Sequence, residues 1–207
     1  MRIWTIQPVE VYEKLLREKE LSVQDSLSVY LANSDREHEH GSNWTFRDSY
    51  DWLVSMMDKF GIVGHTDEVK YPWWGWYKHG GKYKKPDLRC IGLGNPGEES
   101  YCIELDIPDN EVLISDYDMW HCVLNNGDIW KGYETDGDFD KQFDLHEEYT
   151  RKLRIEGKYE EYKLKTWERI VGTINKPDDF PDGEYKQVTF WKLRLENVVR
   201  AQKFKCR

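Results

Sequence analysis

The sequence predicts an α+β fold: a mixed, mostly antiparallel sheet with three to five helices packed around it, as a single domain over residues 1–207. Three observations predict it. A β-prone start runs directly into a helical pattern, a strand region punctuated by glycine and proline fills the middle, and charged helical stretches precede a long apolar segment near the end. A chain of 207 residues is also long enough to bury a core without disulfides or a structural metal.

Residues 2–7, Arg-Ile-Trp-Thr-Ile-Gln, alternate in polarity, and Pro8 suits a first helical turn. Val9, Val11, Tyr12, Leu15 and Leu16 then oppose Glu10, Glu13, Lys14 and Arg17, which predicts a helix over 8–19. Residues 33–43 hold no aliphatic side chain and end in turn formers, so a loop is expected there. Phe46, Tyr50, Leu53, Met57 and Phe60 recur at spacings of three and four, with Gly61 as a stop, and predict a helix over 44–60.

Strand and turn signals alternate from Val69 to Val112, as in an antiparallel meander. Within it, Gly92-Leu93-Gly94-Asn95-Pro96-Gly97 matches G-x-G-x-x-G, but a dinucleotide fingerprint must be followed by a helix. A strand follows here, which predicts a hairpin turn between 88–93 and 100–107. Ser115 or Asp116 is placed to cap a helix carrying Trp120, Val123 and Leu124 and ending near Asn125-Asn126-Gly127. Residues 138–170 predict two helices anchored by Phe139, Phe143, Leu153, Tyr162 and Trp167. An acidic loop over 176–184 leads to 185–199, where Val188, Thr189, Phe190, Trp191, Leu193 and Leu195 suit a doubly buried strand lying beside the first.

Composition excludes several functions. With 39 acidic and 30 basic residues the formal charge is −9, so duplex nucleic acid is not expected as a partner. No apolar run approaches the ~18–20 residues of a membrane span, which predicts a cytoplasmic protein without a membrane partner. Cys90, Cys102, Cys122 and Cys206 form no C-x-x-C pair, and His38-Glu39-His40 has no matching histidine spacing elsewhere, so no metal is expected. In Trp120-His121-Cys122 the thiol and imidazole are helix neighbours that point apart, which argues against a dyad and leaves the catalytic residue unknown.

Aromatics and cations meet in Tyr71-Pro72-Trp73-Trp74-Gly75-Trp76-Tyr77, followed by Lys78, His79, Lys82, Lys84, Lys85 and Arg89. Indoles offer faces for a base or nicotinamide, and cations neutralise phosphates; core aromatics beside a solvated hairpin tip are the competing reading. Asp116, Asp118, Trp120, His121 and Asn125 surround a helix start, where they bind a ligand or cap the helix. Thr5 and Gln7 share one side of the first strand, and Gln187 and Thr189 one side of the last, so pairing these strands would gather four polar groups. The expected site therefore comprises Trp4, Thr5, Gln7, Trp73, Trp76, Asp116, Trp120, His121 and Gln187, for a small nucleotide-like ligand, with NAD-dependent transfer as the boldest form. The alternative is a noncatalytic module in which the acidic helices of 138–170 and exposed aromatics meet a protein partner.

Several blocks occur in a recognisable order: Ile3-Trp4-Thr5-Ile6-Gln7-Pro8, Tyr50-Asp51-Trp52, Val112 to Asp118 with Trp120-His121 and Leu124-Asn125, Thr166-Trp167-Glu168, and Gln187 to Leu193. Together they resemble an uncharacterised bacterial family, domain of unknown function 3841, over nearly the whole chain. That resemblance implies a single domain of bacterial or phage cytoplasmic origin, and no chemistry. A fold-level likeness to ADP-ribosyltransferase-like domains, which open with a strand bearing Thr or His and place a late strand in the core, implies NAD as cofactor. Trp4 and Thr5 stand where one such group has histidine, and Glu196 falls later than that fold's catalytic glutamate.

Overall fold

Alternation at the start of the chain produces strand β1 (Arg2–Pro8), and Pro8 opens helix α1 (Val9–Glu18) without a linker. The helix stops at Lys19, which takes φ 70° and closes the last turn onto the Leu15 carbonyl. Strand β2 (Glu20–Ser22) follows. Helix α2 (Phe46–Lys59) begins with a capping box: Thr45 accepts from the Asp48 N–H, and the Asp48 carboxylate accepts from the Thr45 N–H at 2.7 Å. Such a cap contributes about 1 kcal/mol.

The remaining elements are β3 (Trp73–Lys78), β4 (Glu99–Asp106), β5 (Leu113–Asp116), α3 (Tyr117–Leu124), α4 (Phe139–Ile155) and α5 (Tyr159–Trp167). They continue with β6 (Val171–Gly172), β7 (Lys186–Phe190), β8 (Lys192–Arg194) and β9 (Val198–Lys205). The computed structural model describes residues 1–23, 45–130 and 138–207. The loop expected over 33–43, with His38-Glu39-His40, lies outside these residues. No helix among the described residues is long and apolar enough to cross a membrane.

Seven strands form one antiparallel sheet in the order β6-β5-β7-β3-β1-β4-β9, and β2 and β8 form a second, small sheet. The α+β expectation holds, with five helices around the sheets among the described residues. On one face Ile3, Ile103, Leu105, Ile114, Val188 and Phe190 pack with Leu15 of α1, Leu21 of β2 and Leu193 of β8. This is the α1 face. On the other, Leu113 and Val171 pack with Trp52, Leu53, Met56 and Met57 of α2, Trp120 and Val123 of α3, and Trp167 of α5. This is the α2 face.

Three local expectations change. The strands from Val69 to Val112 do not form a meander, because β1 lies between β3 and β4 and pairs with both. Residues 88–98 form turns rather than a hairpin strand, and their loop is tied to the chain end, with the Gly97 N–H donating to the Cys206 carbonyl at 3.0 Å. The segment 185–199 breaks at Trp191, whose buried indole stacks on His65 with ring centroids 4.1 Å apart, so it supplies β7, β8 and the start of β9. Strand β7 pairs with β3 and β5, which leaves β3 between it and β1.

The helices of 138–170 appear as expected, but only some anchors are buried. Leu153 and Trp167 are, whereas Phe139 and Phe143 remain 49% and 42% exposed. Helix α4 turns Thr150 and Leu153 inward, and the two phenylalanines, one turn apart, pack against Trp130 at the helix start instead.

Candidate functional site

Strand pleating sorts the expected site residues onto the two faces of the sheet. Trp4 pairs with Trp76, Trp76 with Gln187, and Gln187 with Ser115, so these four side chains stand in one row on the α2 face. Trp120 of α3 packs over the neighbouring row, 5.4 Å from Trp74. Thr5, Gln7 and Trp73 point the opposite way, onto the α1 face. Strand β3 approaches β1 closely because Gly75 carries no Cβ, which would stand 3.0 Å from Ile3 Cδ1 and 3.2 Å from the Trp4 carbonyl oxygen.

On the α1 face the expected site residues are satisfied. The Thr5 hydroxyl donates to the Trp74 carbonyl at 2.7 Å, the Gln7 amide donates to Thr5 Oγ1 at 2.7 Å, and Trp73 Nε1 donates to the Leu21 carbonyl at 3.1 Å. Asp116 and Lys186, on that face at the strand ends, are also committed. Lys186 Nζ lies 3.0 Å from Asp116 Oδ2 and 2.6 Å from Asp178 Oδ1, all three buried, and Asp116 Oδ1 caps α3 through the Met119 N–H. Thus Gln7 and Asp116, at opposite ends of the sheet, do not converge with Gln187.

On the α2 face the floor is polar and unpaired. Trp74 Nε1, Ser115 Oγ and Thr189 Oγ1 are buried without a hydrogen-bond partner among the described residues. Gln187, half-buried between Trp76 and Ser115 on the adjacent strands, makes no side-chain hydrogen bond among the described residues. Burying an amide or hydroxyl unpaired costs about 1–3 kcal/mol, so such groups concentrate where something else meets them. Trp74 is held in place by Tyr50 and Trp120, with ring centroids at 6.0 and 5.4 Å.

The row opens onto an aromatic rim. Trp76 stands 5.1 Å from Tyr117 and 6.4 Å from Tyr185, and His79 stands 5.0 Å from Tyr185 and 5.2 Å from Trp76. His121 extends the rim, its ring 4.8 Å from Tyr117 and its Nδ1 3.0 Å from the Tyr117 carbonyl. His79 reaches the rim through the tight turn Gly80-Gly81, where φ values of 58° and 71° suit glycine, and the Gly81 N–H donates to the Glu184 carbonyl at 2.9 Å. Burial, and then the Lys84 ammonium, pushes the His79 imidazole below its ordinary range.

Beside the rim lies a cleft of about 480 Å³ lined by Asp116, Asp118, Met119, Asp179, Phe180, Pro181, Asp182 and Gly183. Burial first, and then the charges of Asp116 and Glu184, raises the Asp118 carboxyl above its ordinary range. The described residues contain no group of three His, Cys, Asp or Glu side chains able to hold a metal ion.

Trp4, Trp76, Trp120 and Gln187 therefore meet on one face, His121 joins through Tyr117, and Thr5, Gln7, Trp73 and Asp116 belong to satisfied structural networks. Sequence reasoning left Tyr117, Tyr185, Ser115 and Trp74 out of the expected site, and grouped Thr189 with Thr5, Gln7 and Gln187 rather than with Trp74 and Ser115. The signal was present in the period of two that aligns Gln187 and Thr189 on one side of β7, with Tyr185 two residues before Gln187. No curated protein and no solved structure matches this chain. Residues 2–199 match the family described as a domain of unknown function, DUF3841, and the chain belongs to that family.

Proposed function

We propose that the chain is a small-ligand-binding domain whose site is the α2 face around Gln187, with a nucleotide-like ligand and NAD-dependent transfer as its most specific form. The observation that carries this reading is the unpaired floor of Trp74, Ser115, Thr189 and Gln187 between indoles. A core built only for stability places aliphatic residues at such positions, whereas a ligand site sets a few convergent polar groups in an apolar wall. Lys82 and Lys84, close to His79 and without salt bridges among the described residues, suit an anionic group at the rim. Four free cysteines fit a reducing cytoplasm, and the family resemblance supports a bacterial or phage setting.

The test is a thermal-shift screen of nucleotides and dinucleotides, NAD included, at millimolar concentration. Selective binding to the folded protein raises its melting temperature, and Gln187→Ala should abolish the shift. No shift with any nucleotide would remove this ligand class.

A second reading, a noncatalytic module for a protein partner, rests on α4, where Phe139, Phe143, Leu145, Tyr149 and Ile155 are exposed. Its signature is a partner recovered by the parent chain and lost with Phe139→Ser/Phe143→Ser, while the site on the α2 face stays intact.

A further inference from the structure

The rim around Trp76 is a cluster of mutually tilted rings rather than a stacking slot. The Trp76, Tyr117 and Tyr185 centroids are 5.1, 6.2 and 6.4 Å apart, and their planes cross at 52°, 61° and 72°. No two of these rings are parallel, so a flat neutral base finds no pair between which to intercalate. The three half-buried rings instead present a continuous aromatic surface with differently tilted faces. An organic cation is attracted by ring faces within about 6 Å of their centroids, most strongly by tryptophan.

Charge around the rim favours the same ligand. Asp118 sits beside Tyr117 at the start of α3, Glu184 precedes Tyr185, and both are exposed. The adjoining cleft adds Asp182. Lys186 is held by two carboxylates, and among the described residues no lysine or arginine of the chain lies over these three rings. Lys82 and Lys84 are the opposing cations, on the His79 side of the rim. Asp118 therefore flanks the helix side of the rim, opposite the lysines on the His79 side.

We propose that Trp76, Tyr117 and Tyr185, with Asp118 and Glu184 beside them, bind the cationic part of an organic ligand: a quaternary ammonium or an N-alkylated heteroaromatic ring. This rests on the α2 face being a small-ligand site and specifies what that site selects.

The test is calorimetric titration of the full chain with choline and 1-methylnicotinamide, each against its neutral counterpart, 3,3-dimethylbutanol and nicotinamide. At least one cation should bind about tenfold more tightly than its neutral counterpart, and which one does so separates the alkylammonium source from the heteroaromatic one. Tyr185→Ala should weaken that binding about fivefold or more. Because an aromatic truncation can also loosen the fold, Asp118→Asn, which keeps shape, should weaken the cation several-fold and leave the neutral counterpart unchanged. Equal binding of cation and counterpart overturns the proposal while leaving the small-ligand site standing. So does an NAD or nucleotide shift with no response to either cation. Silence from every compound, nucleotides included, overturns both.

Discussion

The two faces of the central sheet carry similar polar residues in different conditions. On the α1 face Thr5, Gln7 and Trp73 each find a partner within 3.1 Å, and Lys186 sits between two carboxylates. On the α2 face, on β3, β5 and β7, Trp74 Nε1, Ser115 and Thr189 find none among the described residues. A threonine inside a strand is thus structural at position 5 and uncommitted at position 189. What differs is the neighbour: the Trp74 carbonyl faces Thr5, whereas Thr189 faces indoles and aliphatic side chains. Polar residues within strands do not by themselves announce a site. Whether their hydrogen bonds are met is what tells the two threonines apart.

The largest expected effect breaks the closed side of that comparison. Lys186→Met leaves Asp116 and Asp178 buried without their cation, and should cost about 3–5 kcal/mol in urea unfolding. A loss below about 1 kcal/mol would mean that the three groups are not buried together as described.

The sharpest comparison is between two threonines. Thr5→Val deprives the Gln7 amide and the Trp74 carbonyl of their partner and should destabilise by about 1–3 kcal/mol without altering ligand binding. Thr189→Val removes a hydroxyl with no partner and should leave stability unchanged or raise it by up to about 1 kcal/mol, while weakening the ligand. Equal losses in the two variants would erase the distinction between the faces.

Thiol chemistry gives a smaller readout. Burial holds the Cys102 thiol up at about 11, whereas Cys90 is exposed. At pH 8 an aromatic disulfide reagent should therefore label Cys90 first, and Cys102 only at the rate of unfolding.

The smallest effect lies in the β2–β8 sheet over the α1 face. Hydrogen bonds from Lys192 and then Arg194 hold the Glu20 carboxyl below its ordinary range. Its stabilisation is therefore present above the carboxyl pKa of the unfolded chain and lost as pH falls through the lower folded value. Because the pair is exposed and screened, Glu20→Gln should cost only about 0.5 kcal/mol at pH 7, and the difference should vanish in acid.

Local chemistry made much of the fold legible in the sequence. The strand 2–7 meeting Pro8, the α2 periodicity with its Gly61 stop, the Asp116 cap and the two helices of 138–170 all depend on neighbours within one or two turns. Four of the nine expected site residues, Trp4, Trp76, Trp120 and Gln187, do meet on one face. What the sequence left open was which strand lies beside which. A period-two pattern says that Gln187 and Thr189 share a side, but not that β3 separates them from Thr5 and Gln7. Strand order is settled by contacts between residues far apart in the chain, such as Trp4 with Trp76 and Trp76 with Gln187. Only those contacts decided which polar groups found partners among the described residues and which did not.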